Sequence, residues 1–113
     1  MKKLTVVLIL AGVLFFQFCS PARKAQKEVP KITYEANVQP LITNNCSPCH
    51  LPPDGKKELL NTYTATKDHI DDIITRIQKN PNEKGFMPFK HAKLPDSTIQ
   101  VFVQWKNDGL LEK

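Results

Sequence analysis

Residues 46–50 read Cys46-Ser47-Pro48-Cys49-His50, and the interpretation of the whole chain depends on this stretch. Residues three and four positions apart share one side of a helical turn, so the two thiols and the imidazole can face the same object. Two thiols at this spacing can form thioethers with the two vinyl groups on one edge of a haem, while His50 turns under the ring and ligates the iron. CxxCH is the attachment motif of c-type haem. The sequence therefore predicts one covalently attached haem c, held by Cys46, Cys49 and His50.

Other uses of a CxxC pair fit the chain less well. A structural zinc site needs four ligands, and beyond the motif only His69 and His91 remain as histidines, without a second closely spaced pair. A thioredoxin-like redox motif follows a strand in a βαβ unit, whereas the segment before Cys46 has helical spacing. A disulfide between cysteines three apart closes a loop too small to constrain much of the unfolded chain.

The first 19 residues have the pattern of an export signal. A basic start, residues 1–3, precedes a largely apolar run over residues 4–18, which is shorter than the roughly 20 residues of a membrane span. Cys19 stands where a bacterial lipoprotein carries its acylated cysteine, but Phe18 replaces the small residue usual before it. Lipidation of Cys19, ordinary cleavage at the small-x-small stretch of residues 20–22, and an uncleaved anchor all stay open. Each places the domain outside the plasma membrane, in the periplasm, with a membrane tether in the first and third cases.

Composition divides the remaining chain into a polar linker over residues 20–31 and a folded domain over residues 32–113. The linker has almost nothing to bury. The net charge of +5 falls to +3 when Lys2 and Lys3 leave with the signal. The basic charge is thus partly a targeting feature, and without an aromatic–basic repeat we predict no nucleic-acid binding.

Apolar residues recur at helical spacing in three segments. The first helix is expected over about residues 37–48, with an irregular turn before it. Asn37 as its N-cap moves Pro40 into the first turn, where a missing N–H removes no hydrogen bond. The second is expected over about residues 65–79, with a buried stripe at Ile70, Ile73, Ile74 and Ile77.

The third helix follows Pro95, with Asp96 or Ser97 as its cap, and stops at Gly109 in a left-handed C′ position. Ile99, Phe102, Val103 and Lys106 form its main stripe, with Val101 and Trp105 beside it. Because no convincing strand appears anywhere, the sequence predicts an all-α domain of three main helices and long loops.

A second axial ligand is expected from the loop between the last two helices. Residues 84–89 carry Met87, one of two methionines in the chain, and a thioether can be the sixth iron ligand opposite His50. A methionine between two phenylalanines is also common core filler. His91, on the same loop, is the alternative ligand, and His69 is expected to face solvent. We predict Met87 as the distal ligand.

The order of the motifs along the chain, with CxxCH first, then Met87-Pro88 and then the last helix, resembles that of the monohaem class I c-type cytochromes of bacteria. The resemblance covers about residues 32–111. The resemblance implies a small class I cytochrome c-like fold around one covalently bound haem. It implies that Cys46 and Cys49 hold the haem, that His50 is the proximal and Met87 the distal ligand, and that the first and last helices cross near Trp105. Pro95 departs from the family's usual serine cap. The residues that carry the likeness are Tyr34, Val38, Pro40, Leu41, Cys46, Cys49, His50, Met87, Pro88, Ile99, Trp105 and Gly109.

An iron with both axial positions filled by the protein does not readily bind substrate, so the expected function is electron transfer between redox proteins rather than enzyme catalysis. Lysines in the loops would steer an acidic partner, or are ordinary solvated side chains. If Met87 does not reach the iron, the protein would be a haem sensor or weak peroxidase. A third alternative is a haem subunit of a larger oxidoreductase complex. The lysines concerned are Lys56, Lys57, Lys84, Lys90 and Lys93.

Overall fold

A computed structural model of the chain describes residues 28–113. The predicted signal over residues 1–19, the candidate lipidation site Cys19 and most of the predicted linker lie outside the described residues. Within residues 28–113 no helix is both long and apolar enough to cross a bilayer.

The described residues are mainly helical and contain no strand, so the all-α prediction is confirmed. A π-helical turn, Tyr34–Val38, leads into α1, Gln39–Cys46. After a long loop come α2, Tyr63–Asp68, and α3, Ile70–Gln78. A second loop leads to α4, Asp96–Asn107.

The start of the first helix differs from its predicted form. Val38, not Asn37, is the N-cap of α1, and Pro40 lies in the first turn, as expected. The Asn37 side chain instead accepts a hydrogen bond from the backbone N–H of Thr33 at 3.0 Å. The irregular turn expected before the helix is the π-helical turn, in which the N–H of Val38 donates to the carbonyl of Thr33.

The predicted second helix is two helices that meet at His69. The Thr62 hydroxyl caps α2 by accepting from the N–H of Ala65 at 3.2 Å, which starts the segment two residues earlier than predicted. His69 has φ −103° and ψ 7°, outside the helical region, and it separates α2 from α3. The expected stripe is present, since Ile70, Ile73 and Ile77 are buried and Ile74 is partly buried.

Helix α4 begins and ends by different means. Pro95 occupies the N-cap and no side chain caps the helix, so the expected cap by Asp96 or Ser97 was wrong. At the other end, Gly109 has φ +94°. Its N–H donates to Lys106, and the N–H of Leu110 donates to Trp105. This pair of bonds is a Schellman motif, as the sequence predicts for Gly109.

The two ends of the described chain lie side by side. Thr33 and Leu111 form an isolated parallel bridge, and the N–H of Tyr34 donates to the Leu111 carbonyl at 2.8 Å. The indole of Trp105, fully buried, donates to the same carbonyl at 2.8 Å. The ring of Tyr34 lies 5.9 Å from that of Trp105. The N-terminal turn and the last helix therefore pack against each other at Trp105.

The core joins this contact to the isoleucine face of α3. Leu59, next to buried Leu60, is 39% exposed and lies outside this core. The buried apolar residues are Tyr34, Val38, Ile42, Leu60, Ile70, Ile73, Ile77, Ile99, Phe102 and Trp105.

Candidate haem site

A cavity of about 620 Å³ opens between α1, α3 and the loop before α4. Its volume lies within the range of about 300 to 1,000 Å³ usual for small-molecule and cofactor sites. Its lining includes residues 45–50 and, from the loop before α4, residues 87–89 with His91 and Leu94. Apolar side chains of the core also line it: Leu60, Ile73, Ile77 and Phe102.

The CxxCH stretch begins at the last residue of α1. Cys46 is partly buried and Cys49 is exposed, and both thiols are free. The N–H of His50 donates to the carbonyl of Cys46 at 3.0 Å, so the chain forms one hydrogen-bonded turn directly after the helix ends. This turn brings the two thiols and the imidazole to the wall of one cavity.

The His50 ring is held by a backbone carbonyl. Its Nδ1 lies 2.6 Å from the carbonyl oxygen of Glu58. Because a carbonyl can only accept, Nδ1 carries the proton and Nε2 is the nitrogen with a free lone pair. A metal-ligating histidine is usually oriented in this way, by donating from its other nitrogen. The N–H of Leu60 also donates to the His50 carbonyl at 2.9 Å, which ties the loop to the motif at a second point.

Met87 lines the same cavity. It is partly buried and packs against the core, next to the buried ring of Phe86. Its N–H donates to the carbonyl of Arg76 at 3.3 Å. Gly85 before it has φ +84°, a conformation that glycine adopts without strain. Phe89, after Met87, lines the cavity but is 64% exposed, whereas buried Phe86 is not among the lining residues.

The two remaining histidines also line the cavity. His91 is exposed, on the same loop as Met87. His69 is only partly buried and its Nε2 lies 3.3 Å from a carboxylate oxygen of Glu58, so the expectation that it simply faces solvent was incomplete. Glu58 thus contacts His50 through its backbone and His69 through its side chain. A backbone carbonyl is present at every residue, so no sequence motif could have identified Glu58 as the partner of His50.

Two observations bear on the redox and zinc interpretations of the CxxC pair. Burial raises the pKa of the Cys46 thiol to about 11, so Cys46 lacks the lowered pKa of an attacking redox thiol. Within residues 28–113 no group of three or more histidine, cysteine or acidic side chains is arranged to hold a metal ion. A zinc site built from the protein alone therefore has no support in the described part of the chain.

Comparison of the chain with models of known protein families, with curated proteins and with solved structures found no match.

Proposed function

We propose that the protein is a monohaem c-type cytochrome that carries electrons outside the plasma membrane. The observation that carries the proposal is the convergence of Cys46, Cys49, His50 and Met87 on one cavity. These residues come from two segments separated by two helices. A local sequence motif explains why the first three are adjacent, but only the fold brings Met87 to them.

The residues of the cavity fit a haem group in donor chemistry and in their apolar character. Cys46 and Cys49 would hold it through thioethers. His50 offers Nε2 as a ligand because its Nδ1 donates to Glu58. Met87 offers a thioether sulfur, a known axial ligand that raises the reduction potential. The apolar side chains that line the cavity suit a flat, largely hydrophobic ring.

When bound, the haem would supply a one-electron Fe(II)/Fe(III) couple. The chain's own residues would then hold both axial positions and limit the access of water. Leu60 and Phe102, both buried, line the cavity and would help to bury the ring, and burial is one of the means by which a protein sets a reduction potential. A site filled on both sides by protein favours electron transfer over the binding of a substrate, so we propose a carrier rather than an enzyme.

The proposed partners are redox proteins that approach the open side of the cavity. Lys56, Lys57, Lys84, Lys90 and Lys93 are all exposed, and Lys57 lines the cavity. Two of the five have contacts of their own. The ammonium of Lys93 donates to the carbonyl of Gln78 at 2.9 Å, and that of Lys90 lies 5.3 Å from the centre of the Phe89 ring.

The test is the alkaline pyridine spectrum of the denatured full chain, expressed in a bacterium with the c-type maturation machinery. The wild-type chain is expected to retain haem with the α-band of two thioethers. Cys46→Ala and Cys49→Ala should each give the band of one thioether, and the double variant should lose the haem on denaturation. Cys19→Ser is the matched control, since it removes the third cysteine and should leave the spectrum unchanged. A wild-type chain without retained haem would refute the proposal.

An open-site sensor or weak peroxidase is the second candidate, and the exposed imidazole of His91 on the cavity wall favours it. Carbon monoxide binding to the reduced protein separates the two. Slow or absent binding in the wild type, with ready binding in Met87→Ala, supports the closed carrier. Ready binding in both supports an open site. His91→Gln should change neither spectrum if Met87 is the ligand.

A further inference from the structure

Arg76 lies near the end of α3 and contacts the Met87 loop twice. Its backbone carbonyl accepts from the N–H of Met87 at 3.3 Å. Its guanidinium Nη1 lies 3.5 Å from the carbonyl oxygen of Gly85, which is a long and therefore weak hydrogen bond. The side chain is partly buried and lines the cavity.

The guanidinium is held in place by a neighbour on its own helix. Nε of Arg76 lies 2.6 Å from a carboxylate oxygen of Asp72, one helical turn earlier. A charge-assisted bond of this kind limits the directions in which the long side chain can point. The group that reaches Gly85 is thus oriented before it meets the loop.

The Met87 loop also has an apolar anchor. Phe86, which lies between Gly85 and Met87 in the sequence, is buried. A Cβ added at Gly85 would lie 3.3 Å from Nη1 of Arg76, so the loop and the guanidinium already pack closely. The position of Met87 relative to α3 is therefore set by Phe86, by Arg76 and by Lys79, whose ammonium donates to the carbonyl of Lys84 at 2.8 Å.

We infer that Arg76, oriented by Asp72, is the positioning residue for Met87 as the distal ligand. The inference rests on the proposed function, because it concerns how firmly the thioether is held at its axial position. If the loop holds Met87 less firmly, a larger fraction of molecules would have an open distal position. The apparent affinity of an added ligand that binds only the open form would rise in proportion to that fraction.

The adjacent acid, Asp71, supplies a control for the loss of a helix charge and an ion pair, although Asp72 also lines the cavity and Asp71 does not. It also makes a 2.6 Å ion pair, with Lys106 of α4, and like Asp72 it lies in the first turn of α3. Replacing either aspartate by asparagine removes one negative charge near the same helix N-terminus and breaks one exposed ion pair. Asp72→Asn disturbs the guanidinium that faces the loop, whereas Asp71→Asn does not.

The experiment measures the affinity of imidazole for the oxidised, haem-loaded full chain, together with the charge-transfer band of methionine–iron ligation. Arg76→Gln is expected to raise the imidazole affinity about three- to tenfold and Asp72→Asn about twofold. Asp71→Asn should leave both readouts unchanged. Arg76→Lys, which can reach only one of the two partners, should lie between Arg76→Gln and wild type. Unfolding by urea of the same variants separates a local effect on Met87 from a general loss of stability.

Two results would overturn the inference, and they are distinguishable. If Met87→Ala raises the imidazole affinity while Arg76→Gln and Asp72→Asn behave like Asp71→Asn, Met87 is the ligand but Arg76 does not position it. If Met87→Ala changes nothing, the distal ligation fails together with the inference, while haem retention in the pyridine assay still decides the cytochrome proposal by itself. Should Arg76→Gln not fold, the comparison of Asp72→Asn with Asp71→Asn gives the same decision.

Discussion

Replacing Trp105 by phenylalanine separates two contributions of this residue to the contact between the chain ends. The indole is fully buried and donates from Nε1 to the carbonyl of Leu111 at 2.8 Å. That carbonyl also accepts from the N–H of Tyr34. It therefore keeps one partner in the variant, and the full cost of an unsatisfied buried acceptor does not apply.

The expected loss of unfolding free energy follows from these contacts. One net hydrogen bond contributes about 0.5–1.5 kcal/mol, and the smaller ring leaves part of the site unfilled, so Trp105→Phe should cost about 1–3 kcal/mol. Trp105→Ala also removes the packing against Tyr34 and Tyr63 and should cost about 3–5 kcal/mol. For a domain of this size, each kcal/mol corresponds to a fall in Tm of about 4–8 °C.

The assay is urea and thermal unfolding of the full chain, followed by circular dichroism. Tyr63→Phe is the companion variant, because it removes only the 2.8 Å bond from the tyrosine hydroxyl to the carbonyl of Leu110 and should cost about 0.5–1.5 kcal/mol. Equal losses in Trp105→Phe and Trp105→Ala would refute the reasoning, since packing would then contribute nothing beyond the hydrogen bond.

Three further predictions concern single positions. Gly109→Ala should lower the unfolding free energy by about 1 kcal/mol, measured in urea, because φ is +94° and no atom lies close enough to add a clash. The N–H of Ile32 holds the pKa of Asp108 below its usual value. That stabilisation is present above the unfolded-state pKa and is lost as the pH falls through the folded-state pKa. Asp108→Asn should therefore be less stable than wild type at neutral pH. Between pH 6 and pH 3 its unfolding free energy, measured in urea, should fall less than that of wild type. Glu58→Gln weakens an exposed pair with His69 and should change the unfolding free energy by less than about 1 kcal/mol, whereas a larger loss would show that the pair supports the loop.

The elements that could be predicted are those with a local cause. The isoleucine spacing of α3 and the glycine after α4 act through neighbouring residues, and both predictions were correct in kind. The break at His69 was missed because the helical spacing of apolar residues continues through it. The N-cap at Pro95 was missed because capping preferences favour the polar residues that follow it. Asn37 was assigned the right kind of bond but the wrong partner, since its side chain closes the π-helical turn instead of capping α1.

The candidate site also contains features that the sequence could predict and features that it could not. The order of Cys46, Cys49 and His50 is a pattern of side-chain types, and so is a single methionine in a loop. The acceptor for His50 is the backbone of Glu58, which any residue type would supply. The contact of Arg76 with the Met87 loop depends on how α3 and the loop meet in three dimensions, and residues nine to eleven positions apart have no fixed relation in a sequence.

The two cysteines of the site should react differently before and after haem attachment, and this difference tests the proposal from the side of the thiols. Burial raises the pKa of Cys46 to about 11 from 9.0, so at neutral pH its thiolate is about a hundredfold scarcer than that of an ordinary cysteine. Since the thiolate is the reacting form, iodoacetamide should modify exposed Cys49 much faster than Cys46 in haem-free chain, as measured by mass spectrometry of a Cys19→Ser background. In haem-loaded chain neither should react, because both sulfurs are already thioethers. Equal rates at the two positions would contradict the burial of Cys46, and reaction of both in the haem-loaded chain would contradict the covalent attachment itself.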